Sequence, residues 1–301
     1  MTMWVCGEVL VDLIPQPGST ERVGVIGGGP ENTAKALARL GHQVEFIDGI
    51  STDKWGVAAK KELDLDGVGT RFVKFSDKPT CQAIVSLDEK GSASYEFVID
   101  GTATFDFSRD WLPDPYLHKP SLLHIGTLVT VFEPAASVLF DWALEVSELA
   151  PIIFDPNIRP AVMGDRKKYC ESVEKWVTIS SVVKVSDDDL AWLYPDTDYL
   201  DIAKHWIAGG VSVVVITKGA EGLIGVTADV AVTAPGVKVE VVDTIGAGDT
   251  VGAVIAEAVK NIGLTELHGA VLMTVLEKAA HAAAITCSRK GAQPPTAREL
   301  N

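Results

Sequence analysis

The chain has 301 residues, of which 47% are hydrophobic and 22% are charged, enough for one large domain with a sizeable core. Its formal net charge of −15 at pH 7 argues against a nucleic-acid or anionic-membrane partner, because a negative field repels phosphate groups. The four cysteines form no Cys-x-x-Cys pair, and the apolar N-terminal segment is interrupted by Glu8 and Asp12. These features predict a cytoplasmic protein with reduced thiols and neither a signal peptide nor a membrane span.

Short β-rich segments alternate with helical patterns along most of the chain. "MWVCGEVLVDLI" predicts a strand, the glycines of "IGGGP" precede a helix "ENTAKALARLG", and "VEFIDGI" and "DKWGVAAKKELDLDG" predict the next strand and helix. Four apolar strands follow, "SLLHIG", "PIIFDP", "VVKVS" and "VSVVVIT", separated by helices near 133–149, 165–179 and 198–208. Continuous apolar strands are typical of a parallel sheet that is covered on both faces. The sequence therefore predicts an α/β fold with a doubly wound, mainly parallel sheet flanked by helices.

Residues 70–104 interrupt this alternation. The segment "CQAIVSLDEKGSASYEFVID" predicts two strands joined by "DEKG", with no helix between them. Such a hairpin does not belong to a parallel βαβ series. We expect it to form a small β-sheet lid, together with about residues 10–26, on a single domain that spans residues 1–301.

A glycine-rich turn that opens a helix, "DTIGAGDT" at residues 243–250, is the strongest chemical signal in the chain. It lacks the lysine of a phosphate-binding P-loop, and its glycine spacing does not match a dinucleotide fingerprint. Amides of Ala247, Gly248 and Asp249 at a helix N-terminus, after the turn at Gly246, can stabilise a transferring phosphoryl group. Asp249 can then act as the base that accepts a proton from the attacking hydroxyl. A simpler interpretation, in which Asp249 only caps the helix, stays open at this point.

A second glycine cluster places this motif in a family. "GGGPENTAKALARLG" near the start and "DTIGAGDTVGA" near the end resemble the two signatures of the ribokinase-like (PfkB) carbohydrate kinases, and the resemblance covers nearly the whole chain. "DPNIRP" is similar to the "DPNxR" segment of the fructokinase and keto-deoxy-sugar-acid kinase branches. The resemblance implies that the sugar is bound by Asp12, Gly27, Gly28, Asn32, Phe97, Arg159 and Asp249.

The resemblance also implies a nucleotide site in the C-terminal half. "TKGAEG" resembles the nucleotide loop of the family, and the residues implied for ATP are Ser186, Thr217, Gly219, Gly222, Gly246 and Gly248. Asp243 and the carbonyl of Ile245 match positions that bind a monovalent cation, expected to be K⁺. Where the family has Asn-x-x-Glu, this chain has Ser186 and Asp189, and the shorter Asp189 would reach Mg²⁺ through water. The same "SDDD" segment could instead be a helix N-cap.

The combined features predict an ATP-dependent sugar kinase with Mg²⁺ and K⁺, and fructose as the favoured substrate. Fructose is favoured because "FVI", Phe97 to Ile99, lacks the arginine with which relatives often hold a sugar acid. A 2-keto-3-deoxygluconate kinase and a nucleoside or ribose kinase are the alternatives within the family. A non-catalytic sugar- or nucleotide-binding protein is the alternative outside it. The partners expected are a small sugar and ATP, with a homodimer formed through the lid, and the six histidines are interpreted as structural.

Overall fold

An eight-stranded sheet forms the centre of the computed structural model, which describes residues 1–16, 21–87 and 93–300. Numbered along the chain, the strands are β1 (Met3–Cys6), β2 (Leu10–Pro15), β3 (Arg22–Gly27), β4 (Val44–Ile47), β5 (Gly49–Ser51), β6 (Lys74–Ser76), β7 (Cys81–Leu87), β8 (Ala93–Val98), β9 (Leu122–Gly126), β10 (Ile152–Asp155), β11 (Val182–Ser186), β12 (Val213–Thr217), β13 (Gly222–Val226) and β14 (Ala231–Pro235). The central sheet has the order β14-β13-β12-β11-β10-β9-β1-β4. Within it β13 runs antiparallel to both β12 and β14 and the other neighbouring strands are parallel, which confirms the predicted α/β fold with a mainly parallel sheet.

Helices cover both faces of this sheet. They are α1 (Gly29–Arg39), α2 (Lys54–Leu65), α3 (Pro115–His118), α4 (Ala135–Ser147), α5 (Arg166–Val177), α6 (Asp187–Leu193), α7 (Tyr199–Ala208), α8 (Ala247–Ile262), α9 (Gly269–Cys287) and α10 (Ala297–Leu300). Alternate strand residues point to opposite faces, and two apolar cores result. One core packs α1, α2, α8 and α9 on Val5, Ile153 and Val182, and the other packs α4 to α7 on Trp4, Phe154 and Val183. The predicted helices near 133–149, 165–179 and 198–208 correspond to α4, α5 and α7.

A second sheet of four strands has the order β3-β2-β7-β8 and is named the lid here. The segment "MWVCGEVLVDLI", predicted as one strand, is therefore two strands that belong to different sheets. The break falls at Gly7, whose φ of +155° and contact with the Pro30 ring leave no room for a Cβ atom. The predicted "DEKG" connection, residues 88–91, lies outside the described residues.

The lid is narrower than the predicted range of 70–104. Residues 74–76 form β6, which pairs with β5 in a separate two-stranded sheet. "VEFIDGI" is accordingly also two strands, because β4 stays in the central sheet while β5 leaves it. The lid rests on the start of α2, where Gly24 of β3 lies against the Trp55 ring so closely that a Cβ atom would lie 2.2 Å from it.

Among the described residues, α9 is the one helix long and apolar enough to cross a membrane. It packs beside α8 and against β13 and β14 of the central sheet, and Leu276, Ala279 and Ala282 are fully buried. A helix of the core in a globular domain has the same length and composition.

Candidate active site

The carboxyl ends of four parallel strands lie side by side at one edge of the central sheet. The register pairs Asp155 of β10 with Gly126 of β9, and Thr217 of β12 with Ser186 of β11. In an open α/β sheet, ligands bind outside the carboxyl ends of the strands. The "GAGD" turn and helix α8 lie at this edge, so the sequence motifs and the sheet indicate the same site.

The "GAGD" turn adopts a backbone conformation that requires glycine. Gly246 precedes α8 with a φ of +79° and a ψ of −2°, the left-handed region. A Cβ atom at Gly246 would also lie 2.7 Å from the Cβ of Ala292. The amides of Gly248 and Asp249 have no partner inside the helix, as an anion site requires, whereas the amide of Ala247 donates to the Thr244 carbonyl at 3.3 Å.

Asp249 lies in the first turn of α8 and is 8% exposed. Its Oδ2 accepts a hydrogen bond of 2.8 Å from Nδ2 of Asn32 in α1, rather than from an amide of its own turn. The interpretation in which Asp249 merely caps α8 does not describe this geometry. Burial raises the pKa of Asp249 to about 6, against the opposing effect of the Lys184 ammonium. A carboxyl group with a pKa near neutral is suited to general base catalysis.

Lys184 is a site residue that the sequence interpretation missed. It lies on β11, is 4% exposed, and its Nζ is 2.9 Å from Oδ2 of Asp155. A Cβ atom added to Gly248 would lie 3.0 Å from this Nζ, so the ammonium is adjacent to the anion-binding turn. A lysine inside the otherwise apolar strand "VVKVS" is itself a signal, since buried lysines need a charged partner.

The space between the "GAGD" turn and the "GGGP" cluster is called the pocket here, and the "GGGP" cluster forms its wall opposite the turn. A Cβ atom at Gly29 would meet Nδ2 of Asn157 at 3.0 Å, Cγ2 of Thr127 at 3.1 Å and Oδ1 of Asp249 at 3.2 Å. Asn157 and Thr127 both have positive φ angles, 39° and 62°. Backbone strain of this kind is often found at functional sites. Glycine at position 29 therefore keeps open the space beside the carboxylate.

The predicted sugar residues of the lid lie in one cross-strand row. Asp12 pairs with Val25 on one side and with Ala83 on the other, and Ala83 pairs with Phe97. Cross-strand partners share a face of the sheet, so Asp12 and Phe97 point to the same side. Asp12 Oδ2 lies 3.2 Å from the position of a Cβ atom on Gly27.

The positive charge of Arg159 acts both on Asp12 in this row and on Asp249. Its charge lowers the pKa of both Asp12 and Asp249, although burial raises both more strongly. The guanidinium Nη1 donates to the carbonyl of Ile158 at 3.0 Å, and Arg159 is otherwise exposed. It acts on both carboxylates through its charge, without a direct ion pair to either.

The predicted nucleotide residues lie on the neighbouring strands. Ser186 and Thr217 are register partners at the ends of β11 and β12. Gly219 and Gly222 follow with φ angles of +50° and +108°, and a Cβ atom at Gly222 would lie 2.2 Å from the carbonyl of Ala234. The "TKGAEG" loop therefore requires glycine for its shape.

Two predicted ion ligands have their carboxylates engaged by the protein. Asp189 accepts from the amides of Ile158 at 3.0 Å and Ser186 at 3.3 Å, while Ser186 Oγ accepts from the amide of Asp189 at 3.0 Å. This is a capping box at the start of α6, the alternative that the sequence left open, and a Mg²⁺ contact through water stays a prediction. Asp243 accepts from the amides of Ile245 at 3.1 Å and Gly291 at 2.9 Å, which ties the "DTIG" segment to "SRKGA".

Comparison with known proteins decides the family. The family model described as "pfkB family carbohydrate kinase" matches residues 3–299. The chain belongs to the pfkB family of carbohydrate kinases. A fructokinase of Rhizobium leguminosarum bv. trifolii is 36% identical over 259 residues, 85% of this chain and 78% of the relative. A fructokinase of Vibrio alginolyticus is 30% identical over 304 residues, 99% of this chain and 97% of the relative.

Solved structures of fructokinases share the fold. A fructokinase of Xylella fastidiosa with bound ATP has a TM-score of 0.90 at 23% identity, over 99% of this chain and 96% of that one. A fructokinase of Vibrio cholerae O395, bound to fructose, ADP and a calcium ion, has a TM-score of 0.85 at 25% identity, over 99% of this chain and 97% of that one. The ribokinase-like fold predicted from the two glycine motifs is confirmed.

Proposed function

We propose that this pfkB carbohydrate kinase is a fructokinase that transfers the γ-phosphate of ATP to a primary hydroxyl of fructose. The observation that supports this most directly is the buried Asp249 carboxylate at the start of α8. It lies beside an anion-binding turn and is held by Asn32 from the opposite wall. The fructokinases among the relatives support the choice of sugar.

In the proposed reaction, Asp249 accepts the proton of the sugar hydroxyl. The oxygen attacks the γ-phosphorus as the bond to the departing ADP breaks, which gives a sugar phosphate and ADP. Amides of Ala247, Gly248 and Asp249 and the Lys184 ammonium would offset the negative charge on the transferring group. The base and the anion site do not compete, because the sugar hydroxyl occupies the space between them.

Sugar binding would use groups that have hydrogen-bonding capacity to spare. Asn32 donates to Asp249, but its buried Oδ1 has no hydrogen-bond partner within the described part of the chain. A sugar hydroxyl can donate a hydrogen bond to this oxygen. Asp12, which lies in the lid, can accept hydrogen bonds from further sugar hydroxyls. The lid segment "FVI" supplies no cation for the carboxylate of a sugar acid, so it favours a neutral sugar. A 2-keto-3-deoxygluconate kinase, whose substrate is a sugar acid, therefore ranks second.

The nucleotide and its ions would occupy the C-terminal half, with ATP along Ser186, Thr217, Gly219 and Gly222. The fructokinases solved with ATP, or with ADP and a calcium or potassium ion, support a nucleotide and a metal ion as ligands. Asp243 retains lone pairs beyond its two amide contacts, and with the Ile245 carbonyl it offers the oxygen donors that K⁺ takes. Mg²⁺ would supply charge neutralisation on the phosphates, and Asp189 could reach it through water.

The lid offers a surface for a homodimer. Ile14, Val23 and Val25 are 37%, 42% and 40% exposed and share the face of Asp12. We propose that a second lid covers them, and that the enzyme acts in the cytoplasm as its charge and free thiols suggest. Light scattering of the purified protein and of a Val25→Glu variant tests the dimer: the wild type should have twice the mass of the variant.

A coupled assay for ADP release tests the proposed function. The panel should contain fructose, ribose, 2-keto-3-deoxygluconate, adenosine and inosine, each with ATP and Mg²⁺. We expect the highest kcat/KM for fructose. A higher value for ketodeoxygluconate would overturn the neutral-sugar assignment, and no turnover with any substrate would favour a binding protein.

A further inference from the structure

A buried carboxyl group that the proposed reaction does not use lies behind the pocket wall. Glu8 is 3% exposed and belongs to residues 7–9, where the chain crosses from β1 in the central sheet to β2 in the lid. The hydroxyl of Thr127, itself 3% exposed, donates a hydrogen bond to Oε2 of Glu8. This bond connects the crossing segment to the carboxyl end of β9.

Thr127 is held in an unfavourable backbone conformation. Its φ of 62° lies in the left-handed region, where a β-branched residue is an outlier. Such a conformation persists only where surrounding contacts impose it. Thr130 Oγ1 donates to the Thr127 carbonyl at 2.6 Å, and a Cβ atom at Gly126 would lie 1.9 Å from the Asp155 carbonyl, so the segment is fixed on both sides.

The other end of the bond is fixed as well. The amide of Gly7 donates to the Ile47 carbonyl at 3.3 Å, and the amide of Val9 donates to Oδ2 of Asp48 at 2.8 Å. Thr104 Oγ1 donates to the Val9 carbonyl at 3.0 Å. Glu8 is therefore an anchored acceptor whose own backbone has little freedom to follow Thr127.

The methyl group of Thr127 forms part of the wall beside the base. Its Cγ2 and Oδ1 of Asp249 lie 3.1 and 3.2 Å from the same point above Gly29. A shift of Thr127 would therefore change the space in which the carboxylate and the sugar hydroxyl meet. Displacements of about 1 Å at a reacting group can cost about 10²-fold in rate.

We propose that Glu8 is a positioning residue for phosphoryl transfer: through its bond to the Thr127 hydroxyl it keeps the wall beside Asp249 in the geometry that the reaction needs. The inference rests on the proposed function of Asp249 as the base. Glu8 touches neither substrate nor phosphate in this role, and its effect reaches the reaction through Thr127.

Four single variants at these two positions test the bond. Thr127→Val keeps the shape of the side chain without the hydroxyl, and Glu8→Leu removes the acceptor, whereas Thr127→Ser and Glu8→Gln retain a donor and an acceptor. The assays belong at pH 8, because burial raises the pKa of Glu8 to about 7 and the carboxylate then prevails. We expect kcat to fall about 10- to 100-fold in Thr127→Val and Glu8→Leu, with KM for ATP within about twofold of wild type. The Ser and Gln variants should stay within about fivefold in kcat.

The double variant Glu8→Leu/Thr127→Val should be no slower than the slower single variant, because both changes remove one bond. Three outcomes would each overturn the proposal. They are a loss of kcat in the double variant equal to the product of the two single losses, equal losses of kcat in Thr127→Val and Thr127→Ser, and a kcat for Thr127→Val within about twofold of wild type. Melting curves establish that each variant is folded at the assay temperature, and if Glu8→Leu does not fold, the Val and Ser pair decides alone.

Asp249→Asn, measured in parallel, separates this inference from the proposed function. Near-normal turnover of Asp249→Asn would refute the base itself, whatever Thr127 does. Loss of turnover in Asp249→Asn together with a normal Thr127→Val would refute the positioning role alone.

Discussion

Asn32 and Asp249 are joined by a hydrogen bond of 2.8 Å, although 217 positions separate them in the chain. The bond brings together the two helices that begin with the glycine motifs, α1 and α8. It orients the carboxylate across the space between the motifs rather than along its own helix. A base held in this way is pre-organised for a hydroxyl that enters from the lid side.

Replacement of Asp249 by Asn should remove catalysis while preserving the fold. Asn keeps the size of the side chain and can still present an oxygen to Asn32, but it cannot take up the proton. We expect kcat to fall about 10²- to 10⁴-fold, the usual contribution of a positioned base. KM for ATP and the melting temperature should change little. Steady-state kinetics and thermal unfolding of Asp249→Asn and Asp249→Ala provide the check; an Asn variant with near wild-type kcat would exclude the mechanism.

The pH dependence should reflect the environment of the same carboxyl group. Burial raises the pKa of Asp249 to about 6, so the folded enzyme holds this proton at pH values where an exposed aspartate has lost it. The base must be ionised to act. We expect kcat/KM for the sugar to decrease as the pH falls through about 6, with a plateau above it. A rate profile from pH 5 to 8 with ATP at saturation measures this, and a kcat/KM that stays constant down to pH 5 would indicate an unperturbed carboxyl group.

Loss of the Lys184 charge should impair transfer and also weaken the fold. Lys184→Met leaves the buried Asp155 carboxylate without its partner, and breaking a buried pair costs about 3–5 kcal/mol of unfolding free energy. We expect kcat to fall about 10²-fold as well, because the ammonium lies beside Gly248.

Lys204→Met provides the matched control for that variant, since Lys204 forms an exposed pair with Asp201 on α7. It should change neither kcat nor the melting temperature appreciably. Equal behaviour of the two lysine variants would exclude a specific role for Lys184. Denaturant unfolding and kinetics of both proteins suffice for the comparison.

Monovalent-cation selectivity should depend on Asp243. We expect higher activity in K⁺ than in Na⁺ or in Tris buffer alone. Asp243→Ala should abolish the preference, because it removes the carboxylate that joins the amides of Ile245 and Gly291. The measurement is kcat at equal ionic strength in K⁺, in Na⁺ and in Tris buffer alone. If the variant still discriminates K⁺ from Na⁺, the cation lies elsewhere.

Stability should decrease from acidic to neutral pH because of a buried acid between α1 and α2. Glu31 is fully buried, and burial raises its pKa to about 7, although Lys35 at 3.3 Å acts in the opposite direction. A folded-state pKa above the unfolded value favours the fold at low pH, and this contribution is lost as the pH rises through about 7. Glu31→Gln should therefore reduce the difference in melting temperature between pH 5 and pH 8. The exposed Glu266→Gln is the control that should leave that difference as it is in the wild type.

The sequence predicted those features that depend on local patterns. Gly246 and Asp249 were identifiable because a glycine turn before a helix has a defined anion-binding geometry, and the apolar strands indicated a parallel sheet. The Asn32–Asp249 bond was not identifiable from spacing, because it depends on how two distant helices pack. Lys184 and Glu8 left a detectable signal, since each is a charged residue inside an apolar segment and must be buried with a partner.

Element boundaries were less predictable for a physical reason. An apolar run indicates burial, but not the sheet in which each part of the run is buried. "MWVCGEVLVDLI" is apolar throughout because β1 lies in the central sheet and β2 in the lid, and Gly7 marks the turn between them. The capping box of Ser186 and Asp189 shows the same ambiguity, because an acidic helix start and a metal ligand set use the same residues.

The path of the chain through the lid has a consequence for engineering. The lid is not an inserted cassette: the chain enters it directly from β1, leaves through β3 into α1, and returns for β7 and β8 after three further strands. A transplanted lid from another sugar kinase would therefore bring new residues at 7–9, including position 8 beneath the pocket. Substrate range and chemical rate should change together in such chimaeras. Exchange of single side chains in the row of Asp12 and Phe97 should alter the sugar specificity without changing residues 7–9.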